Sequence, residues 1–226
     1  MRLAILGAGP GGYVAAIKAA QLGAQVTVIE GDEVGGTCLN WGCIPAKTLI
    51  ASSDMLARTR ELGKFGIELK GEVFPNMVKI MERKNKVVST QVKGIRGLFK
   101  SWGVVLKEGR GILTSQNSIE ITKKDGDKEV IEADRIFIAT GSRPARIPTF
   151  PFDGERILSS NEALNLKEIP KSLLIVGAGV IGCEFACIYR ELGTEVTMVE
   201  MLSRAVATED HEISGLLEKE LAKKKN

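Results

Sequence analysis

The residues best suited to chemistry in this sequence are two cysteines, Cys38 and Cys43, set five residues apart in the segment Gly36–Lys47. A thiolate is the reactive form of cysteine, and its pKa falls beside positive charge or the N-terminus of a helix. Pro45 suits the first turn of a helix. We therefore expect a helix over about residues 45–51 with Cys43 at its N-terminal end. Cys38 would lie in the flexible preceding turn, open to an outside dithiol or disulfide.

The alternative interpretations of this pair are two buried thiols or half of a zinc site. Zinc would need two further ligands at suitable spacing, and the only histidine, His211, lies far along the chain in an acidic stretch typical of a solvated helix start. Because a strand pattern starts almost at Met1, we expect no secretory signal, and in a reducing compartment a cysteine pair is more often catalytic than structural. We favour a redox pair that forms a disulfide when oxidised. Cys183 and Cys187, one helical turn apart, are interpreted as small core residues.

The element before the cysteines is a strand, a glycine-rich turn and a helix. Leu3–Leu6 is a short apolar strand, Gly7–Gly12 matches the pattern G-x-G-x-x-G, and Glu30 ends the next strand. Such glycines let a pyrophosphate approach the backbone at the helix N-terminus, and an acid about 20 residues on accepts hydrogen bonds from a ribose 2′-OH. This first fingerprint predicts a dinucleotide site formed by Gly7, Gly9, Gly12 and Glu30.

The same pattern returns 170 residues later as an internal repeat. Leu173–Val176 repeats the strand, Gly177–Gly182 the glycine turn, and Glu200 the acid. Two complete fingerprints predict two dinucleotide sites in an α/β fold with two doubly wound, Rossmann-like units. A carboxylate at Glu200 favours NAD over NADP, because it would repel a 2′-phosphate. The residues expected in this second fingerprint site are Gly177, Gly179, Ile181, Gly182 and Glu200.

Between the fingerprints the pattern changes from helices to short strands. Residues 48–62 and 74–101 show helical spacing of apolar side chains, and short apolar runs with turn signals follow over 104–131. We expect these short runs to form a small antiparallel sheet within the first unit, and residues 135–139 to form a buried strand that leads into Thr140. A proline-containing linker then suggests a first domain over 1–147 and an incomplete second domain over 148–226.

Composition excludes several classes of function. The net charge of +3 is small and evenly spread, so it does not favour nucleic acid or a membrane surface. No apolar run approaches the ~18 residues that a membrane-spanning helix needs. Hydrophobic residues at 44% and charged residues at 26% are ordinary for a globular protein. We expect a cytoplasmic protein without nucleic-acid or membrane partners and without a bound metal.

Two fingerprints with a cysteine pair after the first resemble the flavoprotein disulfide reductase family over the whole chain. The resemblance implies FAD and NAD as cofactors, with Cys43 against the flavin and Cys38 exchanging with the substrate. It also implies that Lys47 and Glu184 form a catalytic ion pair beside the flavin. Besides the first fingerprint, the FAD contacts that it implies are Gly36, Thr37, Lys47, Gly111, Thr140 and Gly141.

Within the family the likeness is greatest to enzymes that convert dihydrolipoamide and NAD⁺ to lipoamide and NADH. This implies the lipoyl groups of a 2-oxo acid dehydrogenase or glycine cleavage complex as substrate, and a homodimer for a complete member. Complete members are much longer, so the resemblance implies an N-terminal portion without the interface domain and its catalytic His-Glu base. The alternatives are a glutathione- or mercuric-reductase-like enzyme, or a non-catalytic fragment that binds FAD and NAD.

Overall fold

The computed structural model describes residues 1–223, which form two compact units. Unit 1 comprises Met1–Pro45 and Asn85–Pro151, and unit 2 comprises Ala46–Lys84 and Phe152–Asn226. Residues 46–84 therefore pack with unit 2. The boundary between the FAD-binding and NAD-binding domains, expected between residues 147 and 148, stays a prediction. The helical pattern expected at the C-terminus continues to Asn226, and its last residues, 224–226, lie outside the described residues.

Unit 1 is built on a four-stranded parallel sheet, which confirms the predicted α/β class. Its strands, in spatial order, are β3 (Val105–Glu108), β2 (Gln25–Glu30), β1 (Arg2–Leu6) and β7 (Arg135–Ile138). The central strand β1 pairs in parallel with both β2 and β7. The first fingerprint therefore begins at the end of a central strand, as the sequence predicts.

Helix α1 (Pro10–Gln21) follows the first glycine turn and returns the chain to β2. It begins at proline, whose missing N–H and fixed φ suit the first helical position. It is followed by Gly23 with a φ of +85°, a conformation that favours glycine. The core of unit 1 between this helix and the sheet includes Ile5, Ala8, Ala16, Val26, Val28 and Phe99.

The small antiparallel sheet is present and has three strands. They are β4 (Arg110–Ser115), β5 (Ser118–Thr122) and β6 (Lys128–Glu132), in that spatial order. The run predicted at 104–106 does not join them, because it pairs in parallel with β2 as strand β3. The local pattern cannot decide between these partners, since both sheets accept the same alternation of apolar residues.

The cysteine segment folds into two helices, α2 (Gly36–Asn40) and α3 (Cys43–Thr59). The prediction that Cys38 lies in a flexible turn is wrong, because it is the middle residue of α2. The Asn40 side-chain amide donates to two backbone carbonyls of the same segment, at 3.0 and 3.1 Å, and so stabilises this short helix. The second helix begins at Cys43, two residues earlier than expected, and extends further.

The helical spacing predicted over 48–62 and 74–101 corresponds to α3 and to α4 (Met77–Ser101). A 3₁₀ turn, Leu62–Phe65, follows the first of them. The division between the two units passes through both helices. Among residues 1–223, no helix combines the length and apolar character that crossing a bilayer requires.

Unit 2 contains the second copy of the repeated pattern. Strand β8 (Ser172–Val176), helix α6 (Val180–Leu192) and strand β9 (Glu195–Val199) repeat β1, α1 and β2, and the two strands pair in parallel. Two doubly wound units predict that residues 2–6 and 173–176 are both central parallel strands. Within the described residues β8 has one neighbouring strand, β9, so this prediction holds for β1 and is not observed for β8. The unit also contains a short helix, α5 (Ser160–Ala163), and α7 (His211–Lys223).

Lys84 is a buried charge in unit 2. Only 4% of it is exposed, and its amine donates to the Leu164 carbonyl at 3.0 Å and the Asn165 side-chain oxygen at 2.6 Å. Both partners are neutral. Burial therefore lowers the pKa of the Lys84 amine from its ordinary value of 10.5, because a charged amine loses its hydration.

This burial predicts a pH-dependent stability difference between the wild-type chain and the Lys84→Met variant. As the pH rises from the lowered pKa towards 10.5, the folded wild-type chain loses a proton that the unfolded chain still holds. The free energy of unfolding of the wild type should therefore rise relative to the variant. Urea unfolding of both proteins, from neutral pH to about 10, measures this, with the exposed Lys86→Met as control. A difference that is constant with pH would contradict the prediction.

Candidate active site

The first fingerprint turn depends on backbone groups that approach too closely for any side chain. A Cβ at Gly12 would lie 1.8 Å from the Gly7 carbonyl oxygen, and a Cβ at Gly7 would lie 2.2 Å from the Ala139 oxygen. Gly9 is the N-cap of α1, and no side chain caps this helix end. The N–H groups of the first helical turn therefore have no side-chain acceptor. Such an end fits the pyrophosphate of a dinucleotide.

The cysteine segment lies against this same turn. A Cβ at Gly36 would lie 2.6 Å from the Gly9 Cα, and Gly36 has a φ of +58°. Thr37, the next residue of α2, donates its hydroxyl to the Ser142 carbonyl at 3.4 Å. Unit 1 thus brings together the glycine turn, the start of α2 and the segment after β7 that contains Thr140 and Gly141.

Glu30 is held at the end of β2 by two backbone donors. One carboxylate oxygen accepts from the Ala8 N–H at 2.7 Å, and the other accepts from the Asp32 N–H at 2.8 Å. An ionised carboxylate has about four acceptor sites, so further acceptor sites remain for ribose hydroxyls. The predicted acid is therefore oriented by its own glycine turn.

The second fingerprint in unit 2 repeats this geometry. A Cβ at Gly182 would lie 2.1 Å from the Gly177 oxygen, and Gly179 is the N-cap of α6 without a side-chain cap. Glu200 accepts from the Leu202 N–H at 2.8 Å and from the Ala178 N–H at 2.7 Å. These backbone hydrogen bonds, that from Leu202 foremost, lower the pKa of the Glu200 carboxyl. Ile181, also predicted here, is in the first turn of α6 and is 59% exposed.

The two cysteines lie in the helices that flank a short connection. Cys43 is the first residue of α3, a helix of 17 residues, and is exposed, whereas Cys38 is half-buried in α2. The N-terminal end of a helix carries a partial positive charge that stabilises a thiolate. This is the position that the sequence predicts for Cys43. The disulfide between the two residues stays a prediction.

Lys47 and Glu184 form the ion pair that the resemblance implies. The Lys47 amine contacts the Glu184 carboxylate within unit 2, joining residues far apart in the sequence. The two side chains are 60% and 25% exposed. Lys47 is on α3 one turn after Cys43, and Glu184 is near the start of α6. The role of the pair beside a flavin stays a prediction.

Gly111 has a packing reason to be glycine. It lies on β4, and a Cβ there would be 2.4 Å from Leu6 Cδ2. Its predicted contact with the cofactor stays a prediction. Asn40, whose side chain stabilises α2, was not predicted as a site residue. The glycines that flank Cys38 predict a close backbone approach there, and Gly35, with a φ of +100°, is the N-cap of that helix.

Residues 1–225 match the family described as pyridine nucleotide-disulphide oxidoreductase. The chain belongs to this family. It is 45% identical to a dihydrolipoyl dehydrogenase of Bacillus subtilis over 222 residues, which are 98% of this chain and 48% of that protein. It is 47% identical to the mitochondrial dihydrolipoyl dehydrogenase of Cricetulus griseus over 201 residues, 88% of this chain and 39% of that protein.

Two solved structures show the same fold. LpdA from Mycobacterium tuberculosis matches with a TM-score of 0.89 and 33% identity, over 100% of this chain and 50% of that one. RclA from Escherichia coli, a flavoprotein disulfide reductase solved as a Cu(II) complex, matches with a TM-score of 0.82 and 28% identity, over 99% and 47%. These matches confirm the family resemblance and the fold. The chain spans about half the length of the relatives it matches.

The exposure of the Lys47–Glu184 pair predicts a small contribution to stability. The Glu184→Gln substitution should lower the free energy of unfolding by at most about 1 kcal/mol, because water screens a pair with one largely exposed partner. The matched control is Glu191→Gln, since the Glu191 side chain is only 13% exposed and its carboxylate holds Arg60 at 2.9 Å. Arg60 is itself 54% exposed, but the Glu191 carboxylate is the less hydrated of the two acids, so that variant should lose more, about 1 to 2 kcal/mol.

Denaturant unfolding of both variants measures the two losses under the same conditions. A loss for Glu184→Gln that equals or exceeds the loss for Glu191→Gln would show that the pair is structural. A loss confined to Glu191→Gln leaves the Lys47–Glu184 pair available for a functional role.

Proposed function

We propose that this chain is the FAD- and NAD-binding part of a dihydrolipoyl dehydrogenase-like enzyme, which oxidises dihydrolipoamide to lipoamide and reduces NAD⁺. The observation that carries the proposal is the close approach of Gly36 to Gly9. It brings α2, with Cys38, to the N-terminal end of α1 in unit 1. A reactive cysteine segment packed against a dinucleotide fingerprint is what coupling of a disulfide to a cofactor requires.

The exchange step is assigned to the cysteine pair. A substrate thiolate attacks Cys38 Sγ of the Cys38–Cys43 disulfide, and the pair of bonding electrons leaves on Cys43 Sγ as a thiolate. The second substrate thiolate then attacks the substrate sulfur of the mixed disulfide, which closes lipoamide and releases Cys38 as a thiolate. Cys43, which takes the bonding electrons, is the first residue of α3, the end of the helix that carries a partial positive charge.

The residues that fit FAD are those that unit 1 brings together around the first fingerprint, called here the FAD cradle: Gly7, Gly9, Gly12, Glu30, Gly36, Thr37, Thr140 and Gly141. A bound flavin supplies an acceptor for two electrons from a dithiol and a donor of hydride to a nicotinamide. The resemblance adds Gly111 and Lys47 to this set, and it gives Lys47 and Glu184 a catalytic role as a fixed charge pair.

The second fingerprint is proposed to bind NAD through Gly177, Gly179, Ile181, Gly182 and Glu200. The likeness to dihydrolipoyl dehydrogenases supports lipoyl groups of a 2-oxo acid dehydrogenase or glycine cleavage complex as the source of the dithiol, and a homodimer for the complete protein. Location in the cytoplasm stays a prediction.

A second candidate is a fragment that binds FAD and NAD without catalysis. The observation that favours it is that the chain spans about half the length of its relatives. Both candidates require the same FAD cradle in unit 1, so FAD binding alone does not separate them. Turnover and the state of the cysteine pair do.

The first test combines flavin content, thiol counting and turnover. The purified chain should show flavin absorbance, and the denatured, air-oxidised protein should expose two reactive thiols of its four cysteines, because Cys38 and Cys43 are joined. The matched control, Cys43→Ser, should keep the flavin and expose all three of its remaining thiols. NADH-dependent reduction of lipoamide should be lost in that variant.

The outcomes of this test separate the two candidates. Bound flavin with four reactive thiols and no turnover would support the binding fragment and contradict a redox pair. Turnover that persists in Cys43→Ser would contradict the proposed exchange step.

The second test concerns the choice of nicotinamide. Glu200 should repel a 2′-phosphate, so NADH should bind more tightly than NADPH, by about tenfold for each ~1.4 kcal/mol of repulsion. Glu200→Ser should reduce this preference, whereas Glu195→Ser, at the opposite end of β9, should leave it unchanged. Binding of both nucleotides is measured by calorimetry. Equal affinities in the wild type would show that Glu200 does not face the ribose.

A further inference from the structure

Val206, in the loop between β9 and α7, has an unusual backbone conformation for its residue type. Its φ is +42°, and within residues 1–223 no other residue except glycine has a positive φ. A β-branched side chain disfavours this conformation, which persists only where the surrounding structure holds it. Val206 is 5% exposed and packs with Ala178, Cys183 and Ala205. Of the two cysteines expected in the core, Cys183 is buried, whereas Cys187 is only half-buried.

The strained conformation directs the Val206 N–H at the second glycine turn. This N–H donates to the Ala178 carbonyl at 2.8 Å, and the Cys183 thiol donates to the same oxygen at 3.4 Å. The Ala178 N–H donates to Glu200 at 2.7 Å. Because a trans peptide group is planar, fixing the Ala178 carbonyl also fixes the Gly179 N–H, which points the opposite way. Gly179 is the N-cap of α6, in the turn proposed to receive a pyrophosphate.

The first unit makes the same hydrogen bond with a glycine. There the Gly35 N–H donates to the Ala8 carbonyl at 2.8 Å, and Gly35 has a φ of +100°. Gly35 lies five residues after Glu30, and Val206 lies six residues after Glu200. Both units thus place a residue with a positive φ where the glycine turn is held. Only the first unit uses the residue type for which this conformation carries no steric cost.

Helix α7 holds the strained residue through its neighbour, Ala205. The Ser214 hydroxyl donates to the Ala205 carbonyl at 2.6 Å, and Ser214 is 0% exposed. The Glu218 carboxylate accepts from the Ala205 N–H at 2.8 Å. The Ala205 carbonyl and the Val206 N–H belong to one planar peptide group. The Ser214 hydrogen bond therefore fixes the direction of the N–H that holds the glycine turn.

We propose that Ser214 and Val206 are positioning residues of the second dinucleotide site. Ser214 fixes the peptide group between residues 205 and 206, and the N–H of that group fixes the peptide group between residues 178 and 179. The N–H of this last group belongs to Gly179, in the glycine turn. Hydrogen bonds in such a chain polarise one another, which strengthens the last donor. The inference rests on the proposed binding of NAD by this fingerprint.

The test measures NADH binding to the purified chain and its variants by calorimetry. Ser214→Ala should weaken binding by about 3- to 10-fold, which corresponds to the loss of one neutral hydrogen bond. Val206→Gly should leave the affinity unchanged, because glycine adopts a positive φ without strain and keeps the N–H donor. The double variant Ser214→Ala/Val206→Gly should regain the wild-type affinity, because its glycine no longer needs the Ser214 hydrogen bond.

The matched control is Ser53→Ala. Ser53 is 1% exposed and donates its hydroxyl to the Ile50 carbonyl at 3.1 Å within α3. Its loss removes a buried hydroxyl from unit 2 without touching the glycine turn, so NADH binding should be unchanged. A purely structural effect of Ser214→Ala would not be recovered by Val206→Gly, since that substitution removes a further buried side chain.

The outcomes separate this inference from the proposed function. NADH affinity that Ser214→Ala leaves unchanged, a loss that the double variant does not recover, or an equal loss in Ser53→Ala would overturn the positioning role alone. A wild-type chain that binds no NADH would overturn the proposed NAD site as well. If Ser214→Ala does not fold by circular dichroism, the exposed Glu218→Ala decides, because it releases the N–H of the same residue, Ala205. It should weaken NADH binding, and Val206→Gly should restore it.

Discussion

The candidate active site depends on contact between backbones that only glycine permits. In unit 1 the start of α1 packs onto the Gly7 carbonyl because Gly12 has no Cβ, and α2 packs onto Gly9 because Gly36 has none. A side-chain carbon at either position would approach to 2.6 Å or less of a backbone atom, which folded proteins do not tolerate. The position of the cysteine segment beside the first fingerprint is therefore set by the absence of side chains rather than by their interactions.

The internal repeat extends to the hydrogen bonds of the two acids. Glu30 and Glu200 each accept one hydrogen bond of 2.7 Å from an N–H of the glycine turn in their own unit. Each also accepts one of 2.8 Å from the N–H of the residue two positions later in the chain. Both carboxylates are thus oriented before any nucleotide arrives. A ligand that meets an oriented group loses less free energy in ordering it.

Unit 2 is held together by charge as well as by its apolar core. Two ion pairs connect α3 and the residue that follows it to α6. Lys47 and Glu184 pair near the start of each helix, and Arg60, just after α3, pairs with Glu191 near the end of α6. The second is the more buried and includes a further bond from Arg60 to the Glu191 carbonyl at 2.6 Å. The family resemblance assigns a catalytic role to the more exposed pair, Lys47–Glu184. This is consistent with the more buried pair, Arg60–Glu191, serving the stability of unit 2.

The sequence by itself determined the features that rest on local patterns. The two glycine fingerprints, their acids and a helix directly after the cysteine pair are all encoded by neighbouring residues, because turn and cap geometry are local. The 170-residue repeat is visible because these local patterns occur twice. Family membership followed from these features.

Only the tertiary structure decided which distant segments meet. The pairing of β3 with β2, the contact of Gly36 with Gly9 and the hydrogen bond from Val206 to Ala178 all join residues that no local pattern links. Sheet partners and backbone contacts depend on the packing of the whole unit, and the same short apolar run satisfies more than one of them. For the same reason the glycine-rich segment around Cys38 was expected to be flexible, whereas packing and the Asn40 hydrogen bonds hold it as a helix.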